Sequence, residues 1–205
     1  MPELRLHDLA LWLIIGALTL AGCASSTELV NQWSNPAYTS ASFKRILVIA
    51  VTRQASVRRN FEDAFVAQLK AAGVDAVPGY AYMQEDGQVG EERLKQAVAQ
   101  AGADAVIITR LVKREQKTVV TPGYLQPAPG VGLYNWYSVG WSGYYEPPSV
   151  YQYDVYTSET SLYDMVRNQV VWSGTAQTAA PGNIDKEITN YAEIMVAALK
   201  QKNLI

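Results

Sequence analysis

The chain has 205 residues, with 17 Lys and Arg against 19 Asp and Glu, for a formal net charge of −2. That balance gives no electrostatic case for a nucleic-acid partner. Its one cysteine is Cys23 and its one histidine is His7, which excludes an intrachain disulfide. A mature chain that has lost His7 with a leader and whose Cys23 is modified would also lack the ligands of the usual zinc site and any Ser-His-Asp or Cys-His arrangement.

In chain order, residues 9–20 form an uncharged apolar run. It is shorter than the roughly 20 residues that span a bilayer as a helix, but has the length of a signal-peptide core. Glu3 and Asp8 beside Arg5 depart from a plainly basic start. The run ends in Leu20-Ala21-Gly22-Cys23, which resembles the lipobox of bacterial lipoproteins. The resemblance implies that residues 1–22 are cut away. Cys23 would then carry a diacylglyceryl thioether and an N-acyl chain such as palmitate, which is stable anchoring. Ala24 follows where inner-membrane lipoproteins typically have Asp. The expected location is therefore the outer membrane, periplasmic face. Residues 23–40 read as the lipidated cysteine and a polar tether, and residues 41–205 as one periplasmic domain.

Ile46-Leu47-Val48-Ile49-Ala50-Val51 reads as a central strand covered on both faces. Ser56 is the expected N-cap of a helix that shows Phe61, Phe65 and Leu69 at helical spacing and stops at Gly73. Residues 74–77 read as a strand that Pro78 places at a sheet edge. A second helix over 91–101 stops at Gly102, and a third strand begins at Ala105. The pattern A-G-x-D-A-V occurs at 72–77 and again at 101–106. Asp75 and Asp104 are thus read as turn residues between helix and strand rather than as a catalytic pair.

After Val112 the third strand carries charge on both faces (Lys113, Arg114, Glu115, Lys117), so this half has left the core. Alternation returns at Tyr151-Gln152-Tyr153-Asp154-Val155-Tyr156, and a long projecting antiparallel hairpin follows. A closing hairpin turns at Arg167-Asn168. Pro181-Gly182-Asn183 caps a last helix with Ile184, Ile188, Tyr191, Met195 and Leu199 on one face. The expected fold class is α/β (α+β). It is a single domain with a mixed sheet of about five strands in the order β-α-β-α-β-β-β-α, with helices packed on it.

Residues 121–150 at the hairpin tip are rich in Tyr, Gly and Pro, and Glu146 is their only charged residue. Loops of this length in compact domains are usually functional or disordered. Tyr124, Tyr134, Trp136, Tyr137, Trp141, Tyr144 and Tyr145 are the candidate partner-binding residues, because flat aromatic rings give large contact area at low entropy cost. The plainer reading is a low-complexity loop folded on its own domain, or a disordered one. Val131, Leu133, Tyr137, Val139 and Trp141 also alternate in the manner of a membrane strand, which suggests a subunit of an oligomeric secretion pore, though Asn135 interrupts that face. Arg53, Arg58 and Arg59 at the start of the first helix are a candidate anion site, with a solvated loop as the plainer reading. Glu85, Asp86, Glu91 and Glu92 are read as solvated acids. A hydrolase using Asp154 or Asp164 alone has no clustered acidic motif behind it.

The lipobox, the Trp33-to-Pro36 stretch, Arg58-Arg59-Asn60-Phe61-Glu62-Asp63, the A-G-A-D-A-V turn, the Tyr-rich tip, and Leu162-Tyr163-Asp164 before Val171-Trp172-Ser173-Gly174 together resemble a widespread family of bacterial lipoproteins of unknown function. The strand order is more loosely similar to TolB-N-terminal, CsgG-like and penicillin-binding-protein-activator lipoprotein domains. That likeness is one of fold, and no residue roles carry over. The expectation is a membrane-anchored periplasmic binding or adaptor protein. It has no catalytic residues, no metal and no cofactor beyond the covalent lipid on Cys23, and its partner is an envelope protein or a glycan. A peptidoglycan- or polysaccharide-binding module is the alternative.

Overall fold

The computed structural model describes residues 26–38, 43–84, 87–125, 132–134, 137, 145–179 and 182–205. The expected signal peptide, the lipobox (Leu20, Ala21, Gly22) with Cys23, and Glu85, Asp86, Trp136, Trp141 and Tyr144 lie outside the described residues. The elements are β1 (Thr27–Ser34), β2 (Ile46–Val51), α1 (Ala55–Ala71), β3 (Ala76–Pro78) with a 3-10 turn over Gly79–Ala81, α2 (Glu91–Ala101), β4 (Ala105–Thr121), β5 (Tyr124–Leu125), β6 (Tyr145–Glu146), β7 (Ser149–Asp164), β8 (Gln169–Ala179) and α3 (Ile184–Gln201).

The main sheet has six strands in the order β1-β8-β7-β4-β2-β3 and is not closed into a barrel. β3, β2 and β4 run parallel, and β4, β7, β8 and β1 antiparallel. The sheet is therefore mixed, and the fold is α+β. β2 shows why its apolar run is unbroken. Ile46 and Val48 enter one core with Phe65 and Leu69 of α1 and Met195 and Leu199 of α3, while Leu47 and Ile49 enter a second with Ala97, Val98 and Ala101 of α2. Burying each large aliphatic of this kind contributes roughly 1.5–3 kcal/mol. Both A-G-x-D-A-V turns follow the expected plan, with Gly73 at φ +86° and Gly102 at φ +61°, where a side chain would be strained.

Three expectations need correction. The sheet gains a sixth strand, because Thr27–Ser34, read as part of the tether, pairs with β8 from Thr27↔Thr178 to Ser34↔Trp172. An edge strand with one covered face needs few apolar residues. Here Thr27 is buried with its Oγ1 2.8 Å from Thr178 Oγ1, and Leu29 packs on the core. Helix α1 starts two residues earlier than expected. Gln54, not Ser56, is its N-cap, and it makes no side-chain cap bond. In α3, Asn183 does cap, its Oδ1 accepting from Lys186 N at 3.0 Å, but Ile184 is exposed and not part of the inward face.

Candidate functional site

Most of the sequence motifs fasten the body from within. Glu62 of α1 is fully buried. Its Oε1 accepts from Arg58 Nε at 3.1 Å and from Ala50 N at 3.1 Å, and its Oε2 accepts from Tyr80 N at 2.7 Å. One carboxylate thus ties the helix, the end of β2 and the 3-10 turn. Burial pushes its pKa up, and the hydrogen bonds from Ala50, Tyr80 and Arg58 offset that only in part. Gly79 is required beside it, since a Cβ there would stand 2.8 Å from Val48 O and 3.3 Å from Glu62 Oε1.

The three arginines proposed for an anion do not share a role. Arg58 is buried against Glu62, Arg59 lies over the Tyr80 ring at 6.0 Å, and Arg53 is exposed in the loop. Arg58 therefore spends its charge inside the fold.

The other motifs behave similarly. Asp104 accepts from the backbone N of Lys44 and Arg45 at 2.8–3.0 Å, which holds the start of β2. Asp75 faces Arg45 at 3.6 Å. Asp164 is buried at the β7–β8 turn, accepting from Val166 N and Arg167 N on Oδ1 and from Tyr38 OH and Arg167 Nη1 on Oδ2. Burial alone would raise its pKa, but these bonds and the Arg167 charge outweigh it and hold the carboxyl below the ordinary value. Asp154 pairs with Arg114 at 2.7 Å on the surface. Among the described residues, no group of three or more His, Cys, Asp and Glu side chains is placed to hold a metal ion.

What remains outside this internal bonding is the β4–β7 ribbon. β4 loses β2 after the pair Val51↔Arg110, and β7 loses β8 beyond Val155↔Ala179. From Gln116↔Asp154 to Thr121↔Ser149 the two strands continue alone. The register shifts between Leu111 and Lys113, where β4 parts from β2, and a bulge at such a point bends and re-aims the strand. Ion pairs pin the base of the ribbon: Arg110 Nη2 lies 2.7 Å from Glu159 Oε2, and Arg114 pairs with Asp154 while lying over the Tyr156 ring.

Beyond Lys117 the described charges give way to Val119, Val120, Val150 and Tyr151, all exposed, with Tyr151 stacked on Tyr153 at 5.6 Å. The hairpin then tightens through Gly123, where a Cβ would meet Glu146 O and Pro148 Cδ at 2.8 Å. It continues as β5 and β6, pairing Tyr124↔Glu146 and Leu125↔Tyr145. A hydrogen bond to Glu146 raises the Tyr124 phenol pKa.

Of the candidate aromatic residues, Tyr124, Tyr134, Tyr137 and Tyr145 are all exposed, Tyr134 by 90%. Leu133, Tyr134 and Tyr137 have helical backbone, so these three positions do not form the membrane-like strand expected across 131–141. The exposed Val119, Val120, Val150 and Tyr151 on the shaft were not among the candidate residues. Their signal was the adjacent Val119-Val120 pair opposite Val150-Tyr151, apolar on both faces of a strand with no core to enter.

No helix among the described residues is long and apolar enough to cross a membrane. Among solved structures, the chain is similar to PelC from Paraburkholderia phytofirmans, crystallised as a dodecamer, at 16% identity over 87% of this chain and 99% of that one, with a TM-score of 0.46. It is also similar to lipoprotein GNA1162 from Neisseria meningitidis, at 13% identity over 77% of this chain and 96% of that one, with a TM-score of 0.40. No curated protein matches the chain in sequence. Residues 51–201, from the end of β2 through α3, match the family described as Domain of unknown function (DUF4136), and the chain belongs to that family.

Proposed function

We propose that this protein is a lipid-anchored lipoprotein of the bacterial envelope, held at the periplasmic face of the outer membrane by acyl chains on Cys23. On this reading it works by binding rather than catalysis, as an adaptor whose body presents the β4–β7 arm to another envelope component. The observation that carries the reading is the contrast between body and arm. Arg58, Glu62, Asp104 and Asp164 have their bonds satisfied inside the fold. The arm instead holds valine and tyrosine side chains in solvent beyond the edge of the sheet. Exposed aromatic anchors on a pre-formed scaffold suit recognition.

In-cell photo-crosslinking from a photoreactive residue at Tyr137 tests this. A discrete adduct, lost when Trp136 and Trp141 become Ser, supports the binding role, and its mass identifies a protein, saccharide or lipid. A saccharide adduct recovered with sacculi would favour the glycan-binding alternative. Absence of any adduct from 137 and from the flanking tip positions would sink the arm as the binding element.

A further inference from the structure

Where the chain leaves the sheet bears on what the arm meets. The row Thr27↔Thr178, Thr178↔Tyr156 and Tyr156↔Arg114 runs straight across β1, β8, β7 and β4. One residue further, Ala179 N donates to Ser26 O at 2.9 Å, so Ser26 still belongs to the sheet, level with Val155 and Glu115. β1 runs from this row into the body, toward Ser34↔Trp172. Ser26 therefore stands at the end of β1 nearest the arm.

Two lengths can then be compared. Three steps separate Ser26 from Cys23, which fully extended reach about 11 Å. From the same row the ribbon runs six residues, to Thr121 and Ser149, or about 20 Å, before β5 and β6 add to it. From that row the ribbon is thus about 10 Å longer than the greatest reach of the chain back to Cys23.

We propose that the outer part of the arm, with Val119, Val120, Val150, Tyr151, Tyr124 and Tyr145, is a membrane-binding element, seated in the interfacial region of the same leaflet that holds the acyl chains of Cys23. This rests on the lipid-anchor reading above and names the component that the arm meets as the bilayer itself.

The chemistry along the arm follows the same axis. Lys113, Arg114, Glu115, Lys117 and Asp154 mark its base, and past Thr118↔Gln152 the large exposed hydrophobic side chains are Val119, Val120, Val150 and Tyr151, then Tyr124 and Tyr145. Across 121–150 the only charged residue is Glu146. Tyrosine with its apolar ring and polar tip is favoured at the membrane–water interface, as is tryptophan. Lysines at the base sit where headgroups would meet them. An aqueous partner surface would not demand that charge disappear with distance from the body. A bilayer does.

The test uses the full lipidated protein reconstituted in phosphatidylethanolamine–phosphatidylglycerol vesicles. Thioether formation consumes the only thiol of the chain, so an introduced cysteine is the sole site for a nitroxide label. Tyr145→Cys and Tyr134→Cys report on the tip. Val166→Cys, in the exposed β7–β8 turn at the opposite end of the sheet, reports on the far side of the body.

Tip labels should relax preferentially with dissolved oxygen, and the label at 166 with a water-soluble nickel chelate, a reversal between the two ends. Equal exposure to the chelate at 134, 145 and 166, with Cys23 shown lipidated by mass, overturns the membrane seat and leaves the binding role of the arm intact. A label also found on Cys23 means no lipid is attached there, and both readings fall.

Discussion

Arg58 and Glu62, one helical turn apart, form an ion pair at 3.1 Å with the Glu62 side chain fully shielded from water. A buried pair of this kind contributes little net stability by itself, because desolvation offsets the attraction, but breaking it leaves an uncompensated charge. Glu62→Gln is expected to destabilise the protein by about 3–5 kcal/mol in denaturant unfolding. Converting both residues to Met should recover only part of that loss. Ala50 N and Tyr80 N would still lack an acceptor, at about 1–3 kcal/mol each. A double variant as stable as the wild type would show that those two backbone bonds contribute nothing.

Gly174 lies beneath the indole of Trp172, two residues along β8, and a Cβ at 174 would fall among the ring carbons. Trp172 is fully buried and its Nε1 reaches Gln32 Oε1 on β1 at 3.4 Å, so the ring cannot lift without giving up core contact. Gly174→Ala should cost about 1–3 kcal/mol, seen as a lower melting temperature with a red-shifted Trp172 emission. Adding Trp172→Phe to that variant should cost less than Trp172→Phe does in the wild type, since the smaller ring leaves room for the methyl group. Strict additivity of the two would refute the steric account.

Where pattern and packing were both local, the sequence revealed the structure. The unbroken apolar run of β2 and the glycines of the two A-G-x-D-A-V turns required no knowledge of distant partners. The long hairpin was visible because charge on both faces of residues 113–117 is incompatible with burial. What escaped depends on distant contacts. β1 looks like a tether until β8 is present to pair with it and α3 to cover Thr27 and Leu29. Arg58 looks like a solvated cation until the end of β2 and the Tyr80 turn close over Glu62. Two residues of the family motifs have their contacts inside the fold. Asp164 and Trp172 serve a turn and a core contact, roles that a motif match cannot distinguish from chemistry.

Asp164 predicts a specific pH dependence. Its folded pKa lies below its unfolded value near 3.8. The stability it contributes is therefore fully present above that value and lost as pH falls through the folded pKa. At pH 7, Asp164→Asn should cost about 1–2 kcal/mol, because an amide places a donor where Tyr38 OH and Arg167 Nη1 now donate. Below the folded pKa the wild type and the variant should converge in stability. Unfolding measured from pH 7 down to pH 2.5 checks this. A gap that stays constant over that range would mean the carboxylate's charge is irrelevant to the turn.

The arm itself predicts an unusual separation of stability from function. Residues 119–151 can be replaced by Asn-Gly, joining Thr118 to its register partner Gln152 through a two-residue turn suited to a twisted hairpin. Among the described residues of 119–151, neither core cluster draws one, so the melting temperature should move by no more than about 3 °C, equivalent to about 1 kcal/mol for a domain of this size. On the lipid-anchor reading the shortened protein should also remain with the membrane fraction, held by acyl chains on Cys23 rather than by the arm. Crosslinking to an envelope component and contact with the lipid interface should both be lost. A fall in melting temperature well beyond that range would mean that the arm folds back on the body, and its exposed valines and tyrosines would then be part of a core instead of a binding surface.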